Sequence, residues 1–167
     1  MSKPDSLASK VLVRNYRKSD YEATIELMEE ISETFSFYFD KKKWNESAGL
    51  RLFQPGYSRT TLIAEIDGKV VGMGFIELHT NTPDGISIGY LSNWGVKKEF
   101  RGAGVGRALA EKAIAMLTAM HADLIRIKIA MKPDPAKMLS IVKAIGFEPS
   151  YITVEKKITH AENKKHV

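Results

Sequence analysis

The chain has 167 residues, 44% hydrophobic and 27% charged, with a formal net charge of +5. That length fits one domain whose core needs no covalent staples, and the composition excludes a disordered or collagen-like chain. With no cysteine there is no disulfide framework, thiolate metal site or cysteine nucleophile, and the four histidines show no HExxH-type spacing, so no metal is expected.

Residues 1–9 read as a loose tail without the apolar core of a signal peptide, and no apolar run is long enough to span a bilayer. A cytoplasmic protein with no membrane partner is therefore expected. Lys10 to Arg14 reads as a short strand. Ser19-Asp20 offers an N-cap to a helix in which Tyr21, Ile25, Met28, Ile31 and Phe35 recur at helical spacing. A weaker helix is expected from about Asp40 to Leu52. Thr60 to Ile66 is a strand, Asp67-Gly68 a hairpin signal, and Val70 to His79 the returning strand, apolar on both faces as a covered central strand would be. After the turn at Asn81–Gly85, Ile86 to Lys97 reads as a strand with Ile88, Tyr90, Trp94 and Val96 on one face. A helix follows from about Gly104 to Met120, then a strand from Leu124 to Met131. Pro135 opens a helix that stops at Gly146. Tyr151 to Ile158 is a last strand, and 159–167 a tail. This order predicts one α/β domain of the α+β type over residues 10–158: a mixed, mostly antiparallel central sheet with helices on both faces.

Basic residues gather near both ends and at Lys97, Lys98, Arg101 and Arg107. The ends read as solvated tails. No basic stripe is interleaved with aromatics, which argues against nucleic acid as a partner. The middle cluster surrounds Gly102, Gly104 and Gly106, which lie between a strand end and a helix start. Glycines let the backbone turn tightly and let a ligand approach its amides, and a helix start presents unpaired N–H groups with partial positive charge. The combination describes an anion site, most naturally for phosphate. A P-loop needs Gly-Lys-Ser/Thr at the helix start, but Arg107-Ala108 follow Gly106 here. A Rossmann fingerprint needs another glycine spacing and an early βαβ unit, and both are missing. The remaining readings are a loop that only turns the chain and the pyrophosphate loop of acyl-CoA-dependent N-acyltransferases. The latter pattern is Gln or Arg, two residues, Gly, one residue, then Gly or Ala, and Arg101 to Gly106 fits it in full.

Over roughly residues 10–158 the chain resembles the GNAT superfamily, the Gcn5-related N-acetyltransferases. Val96 ends the strand before the loop, Phe100 precedes the loop arginine, Gly146-Phe147 follows the last helix, and the element order agrees. The resemblance implies an acyl-CoA N-acyltransferase fold in which Ile86–Lys97 and Leu124–Met131 are parallel strands that splay at the cofactor site. Acetyl-CoA, or a longer acyl-CoA, is then the co-substrate. Its pantetheine arm would pair with the backbone of Trp94, Gly95 and Val96. Its pyrophosphate would sit on amides of Arg101, Gly102, Ala103, Gly104, Val105 and Gly106, with Arg107 alongside. An amine on a small molecule or protein would attack the thioester directly.

The family commonly places an acid three residues before the valine, where Asn93 stands and cannot act as a base. Glu77 on the preceding strand is the substitute candidate: burial among Met73, Phe75 and Leu78 would raise its pKa, whereas a place at the strand end would leave it solvated. His79 is a weaker candidate. A backbone N–H near Asn93–Trp94 would meet the oxyanion. The usual tyrosine acid, four residues before Gly-Phe, is replaced by Val142, leaving Ser140, Tyr151 or water. The first two helices and the Asn81–Gly85 turn would build the acceptor groove, with Phe35 to Phe39 and Trp44 as core packing or as an aromatic wall. The altered positions Asn93 and Val142 leave an alternative open: a non-catalytic or weakly active acyl-CoA-binding regulatory module. Dimers are frequent among relatives, so a homodimer is an expectation by analogy alone.

Overall fold

In the computed structural model, which describes residues 11–35, 37–52, 59–130, 133–154 and 156, the chain enters through strand β1 (Leu12–Asn15). It continues through helices α1 (Tyr21–Phe35) and α2 (Lys41–Glu46), strands β2 (Arg59–Ile66), β3 (Lys69–His79) and β4 (Ile88–Val96), helix α3 (Val105–Ala119), strand β5 (Leu124–Ile127) and helix α4 (Pro135–Lys143). The five strands lie in the order β1-β2-β3-β4-β5; the first four pair antiparallel, and β4 pairs β5 in parallel. A parallel neighbour needs a crossover, and α3 supplies it. The expected fold class, a mixed and mostly antiparallel sheet with helices on both faces, is the one observed. The two expected tails, 1–9 and 159–167, lie outside the described residues.

Local chemistry explains most boundaries. Asp67 (φ 48°) and Gly68 (φ 76°) are both left-handed, as the tight β2–β3 hairpin requires. The Asp40 carboxylate accepts from the Lys43 amide at 3.0 Å and caps α2, which ends at Glu46; a 3-10 turn covers Ala48–Arg51, so the expected longer helix is broken. Asp134 caps α4 by accepting from the Lys137 amide, and Pro135 opens the helix. At its far end Gly146 (φ 92°) lets the Phe147 amide reach back to the Val142 carbonyl. Asp20 does not cap α1 as expected. Its carboxylate turns back to the Arg14 guanidinium (2.7 and 2.8 Å) and the Arg17 amide (2.7 Å).

Two apolar clusters sandwich the sheet. On one face Leu62, Ala64, Val71, Ile76 and Leu91 pack against Val105, Leu109, Ala113 and Leu117 of α3. On the other, Ile63, Met73 and Tyr16 meet Leu27, Met28 and Ile31 of α1. Complete burial of a leucine or isoleucine contributes about 1.5–3 kcal/mol. That makes α1 and α3 the anchored helices, whereas α4 leaves Ile141 47% exposed. Two glycines set how closely the helices approach: an added Cβ on Gly89 would meet Leu117 at 2.8 Å, and one on Gly95 would overlap the Ile31 side chain.

Between the pairs Met73–Gly95 and Phe75–Ser92, the β3–β4 register slips. Gly74 there faces two residues, Asn93 and Trp94, and the Trp94 ring occupies the space that a Gly74 side chain would fill. The extra residue reverses the alternation along β4. Gly89 and Leu91 face α3, but beyond the bulge Trp94 and Val96 do so, while Gly95 faces α1. The expectation of Ile88, Tyr90, Trp94 and Val96 on one face is therefore corrected: Tyr90 shares the α1 side with Ser92, opposite to Trp94 and Val96.

Two strand expectations are also corrected. β5 stops at Ile127 rather than Met131: residues 128–130 are in no strand, and Met131 is outside the described residues. Tyr151–Val154 forms no strand either, and the remainder of that segment is mostly outside the described residues. Tyr151, Ile152 and Val154 are 77%, 93% and 88% exposed, because no face of the sheet receives them.

Candidate functional site

β4 outruns its parallel neighbour. Only Ile88–Leu91 pair with Leu124–Ile127, so beyond Leu91 and Ile127 the two strands part and the β4 edge from Ser92 to Val96 borders the gap. At the end of that edge the Lys97 amide ties to the Val71 carbonyl, and a 3-10 turn spans Lys98–Phe100. Gly102 (φ 83°) and Gly104 (φ 81°) then adopt left-handed conformations, and Val105 begins α3. An added Cβ on Gly102 would meet nothing within 4 Å, so glycine is required there by backbone conformation and not by crowding.

The loop amides divide into two sets. Those of Arg101 and Ala103 are spent on the Lys98 and Phe100 carbonyls, and Ala108 returns to the Gly104 carbonyl. The amides of residues 105–107 precede the first complete helical turn and have no intrahelical acceptor. No acidic side chain stands in that first turn. Left-handed glycines, a helix start and the adjoining strand edge fit a pyrophosphate joined to an extended arm. The expected cofactor residues Trp94, Gly95, Val96 and Arg101 to Arg107 are thus continuous in space.

Arg101 braces this loop. Its Nε donates to the Val96 carbonyl (2.9 Å), and its terminal nitrogen donates to Glu30 (3.1 Å) and to the Thr34 hydroxyl (3.3 Å). The same Glu30 oxygen accepts from the Lys98 amide at 2.7 Å. Arg107 pairs with Glu111 at the exposed rim of α3.

A row of polar side chains crosses the sheet on its α1 side. Ile76 and Leu78 face α3, so alternation turns Glu77 and His79 the other way. Glu77 is opposite Tyr90, and Tyr90 is opposite Arg126. The Glu77 carboxylate is 3.2 Å from His79 Nε2 and one-third exposed; the His79 ring is tilted on that of Tyr90 with centroids 4.8 Å apart. Arg126 donates to the Tyr90 hydroxyl (3.3 Å), and its guanidinium lies 5.0 Å from the Tyr151 ring centroid. Asn93 is exposed in the bulge at φ 50°, a conformation asparagine tolerates better than most residues. Val142 is buried, offering no proton donor, and Ser140 is exposed. The aromatic stretch divides: Phe35, Phe39 and Trp44 pack against the α1-side core, while Phe37 and Tyr38 are exposed. A hollow lined by Glu29, Glu33, Phe37, Tyr38 and Lys41 shares no residue with the gap.

Sequence reasoning missed Glu30, Tyr90 and Arg126. Glu30 lies on the polar face of an amphipathic helix, where charge is unremarkable. Arg126 had a signal: an arginine inside the apolar run Leu124-Ile-Arg-Ile-Lys-Ile-Ala130. Among the described residues no group of three or more His, Asp or Glu side chains could hold a metal ion, and no helix is long and apolar enough to cross a membrane.

A family model described as the acetyltransferase (GNAT) family matches residues 24–139. No curated protein matches the chain by sequence. Among solved structures, a transcriptional regulator from Bacillus halodurans C-125 is similar at a TM-score of 0.75 and 16% identity, covering 89% of this chain and 99% of that one. Glucosamine-6-phosphate N-acetyltransferase from Arabidopsis thaliana is similar at 0.71 and 16%, with the same coverages. AAC(6')-Iy in complex with the bisubstrate analog CoA-S-monomethyl-acetylneamine is similar at 0.69 and 16%, covering 90% and 99%. At these identities the likeness concerns the fold.

Proposed function

Since the chain belongs to the GNAT acetyltransferase family, we propose that it transfers acetyl from acetyl-CoA to a primary amine of a small molecule or protein. The observation that carries this reading is the left-handed Gly102–Gly104 loop opening α3 beside the free edge of β4. When bound, acetyl-CoA supplies an activated thioester. The residues of the chain hold it and manage protons. The amides of residues 102 and 104–107 receive the pyrophosphate, and the edge from Trp94 to Val96 receives the pantetheine arm. An amide at the Asn93–Trp94 bulge faces charge developing on the acyl oxygen.

An alkyl amine has a pKa near 10.4 and must lose a proton before it attacks. Glu77, with His79 beside it, takes that proton, through water where the acceptor stands further along β4. The departing thiolate needs no dedicated acid, since a thiol pKa is near 8.5. Val142 in place of a tyrosine is compatible with that. Val142 and Asn93 also favour the second reading, an acyl-CoA-binding regulatory module; the similarity to a transcriptional regulator adds only a likeness of fold.

Thermal unfolding with acetyl-CoA, with ATP as control, tests the cofactor assignment. Ligand at a hundred times its Kd stabilises by about 2.7 kcal/mol, several degrees for a domain of this size. A shift with acetyl-CoA alone supports the loop reading, and no shift at millimolar acetyl-CoA overturns it. Amine-dependent release of free CoA then separates the enzyme from the module.

A further inference from the structure

Among the described residues Arg126 is a half-buried cation without a counter-ion. Arg14, Arg101 and Arg107 each pair with a carboxylate. Arg51 has none among the described residues, but it is shut into the core, stacked 4.1 Å from the Trp44 ring centroid and bonded to the Trp44 carbonyl. Among the described residues Arg126 meets no carboxylate. It is held between two phenols, hydrogen-bonded to Tyr90 and stacked with Tyr151, and its Nε is buried with no acceptor. A guanidinium in that state has lost water and gained little in return, and a buried donor left unmade is costly. An arriving anion would supply what is missing, in the two-pronged geometry that a guanidinium favours.

Its location narrows the anion's source. Arg126 stands one residue before β5 ends, on the α1 side, at the mouth of the gap. From its partner Tyr90 to Val96 the ladder advances five residues of β3, Glu77 to Gly72, about 17 Å at 3.3 Å per residue. A pyrophosphate on the Gly102–Gly106 amides is therefore out of its reach. The bulge at Asn93–Trp94, where the acyl group would be attacked, is three residues from Tyr90, about 10 Å. Glu77 flanks Tyr90 on the other side, one strand away.

We infer that Arg126, with Tyr90, binds an anionic group of the acceptor, so that the preferred substrate is a primary amine carrying a phosphate or carboxylate several bonds from the nitrogen. An amino-sugar phosphate or an ω-amino acid has that span; an α-amino acid is too short. This rests on the acetyltransferase reading above and specifies its acceptor.

The test compares matched acceptors at saturating acetyl-CoA: glucosamine 6-phosphate against glucosamine, and 6-aminohexanoate against hexylamine. The wild type is expected to favour the anionic member of at least one pair by about tenfold or more in kcat/KM, the scale of a hydrogen bond to a charged group; which pair responds distinguishes phosphate from carboxylate. Arg126→Met is expected to erase that preference through the acceptor KM while leaving the KM for acetyl-CoA unchanged. Equal rates within both pairs, or a preference that survives Arg126→Met, would overturn the inference. A second readout needs no turnover: in CoA-saturated protein, the NMR signal of the Arg126 Nε–H should shift on adding inorganic phosphate or acetate, and a signal indifferent to both would overturn it equally. The acetyl-CoA thermal shift, measured on both proteins, separates the outcomes. If it is absent, the acetyltransferase reading fails; if it is present without anion preference, only the role of Arg126 does.

Discussion

Glu30 and Arg101 are 71 positions apart in the chain, yet a carboxylate oxygen of the first lies 3.1 Å from the guanidinium of the second. That oxygen also holds the Lys98 amide, so one side chain of α1 fastens both ends of the turn leading into the glycine loop. Glu30→Ala is expected to raise the KM for acetyl-CoA by up to about fivefold, the scale of a partly exposed ion pair. Glu30→Gln should recover most of this, because an amide oxygen still accepts from both donors. An unchanged KM with a lowered melting temperature would make Glu30 a brace of the fold alone.

The glycine loop separates backbone demand from space. Gly102→Ala forces a side chain into φ 83° and should cost about 1–2 kcal/mol while shrinking the thermal shift given by acetyl-CoA. Gly106→Ala places its Cβ at ordinary distances, 3.8 Å from Val96 and 4.0 Å from Trp94. Its unfolding midpoint without ligand should therefore match the wild type. Equal losses for the two variants would refute the conformational argument.

Gly95→Ala is expected to be among the most damaging single-methyl additions in the protein, because Ile31 already fills that space. Overpacking of this kind costs about 1–3 kcal/mol. Combining it with Ile31→Val should return part of the loss, and chemical denaturation of the four proteins of that cycle measures the coupling. Strict additivity would show that the two side chains do not compete.

Burial opposes ionisation of Asp20, but hydrogen bonds from Arg14 and the Arg17 amide outweigh it and hold the carboxyl below the usual carboxylate range. A group with a lowered folded pKa stabilises the protein above its unfolded value, near 3.9, and that contribution is lost as pH falls through the folded value. Stability should thus fall from about pH 4 downward, and Asp20→Asn should flatten this part of the curve while lowering stability at pH 7. Urea unfolding at pH 3, 5 and 7 compares the two; parallel curves would assign the acid sensitivity elsewhere.

Glu77→Gln keeps the shape of the side chain and removes its basicity. If Glu77 takes the amine proton, kcat should fall about 10²–10⁴-fold, with the acetyl-CoA thermal shift intact. Higher pH should restore part of the rate by deprotonating the amine directly. A variant with wild-type turnover at pH 7 would remove Glu77 from the mechanism.

What was legible in the sequence was local. The Asp67-Gly68 hairpin, the helical spacing from Tyr21 to Phe35, the glycines of the loop and the stop at Gly146 each carry their instruction within a few residues, and each appears in the structure. The contacts that were not legible join distant segments. Nothing near Glu30 announces Arg101, and nothing near Arg126 announces Tyr90. Over its described part, Tyr151–Val154, the expected last strand does not form for a related reason: alternation describes a surface able to pair, but pairing needs an edge that receives it. The expected face divides into Ile88 and Tyr90 on one side and Trp94 and Val96 on the other, because a residue inserted between them is invisible to a period-two pattern.

That inserted residue has a consequence for how the protein can diversify. Before Asn93, β4 presents Tyr90 to the α1 side; after it, β4 presents Trp94 and Val96 to the α3 side. The two halves of one strand therefore answer to different neighbours. On the proposed reading, substitutions at Tyr90, Arg126 or Glu77 would retune the choice of acceptor without altering which residues back the glycine loop. Deleting Asn93 would put the two halves back in phase and spoil both at once. The tolerance of this strand to change lies in its side chains, and its intolerance in its residue count.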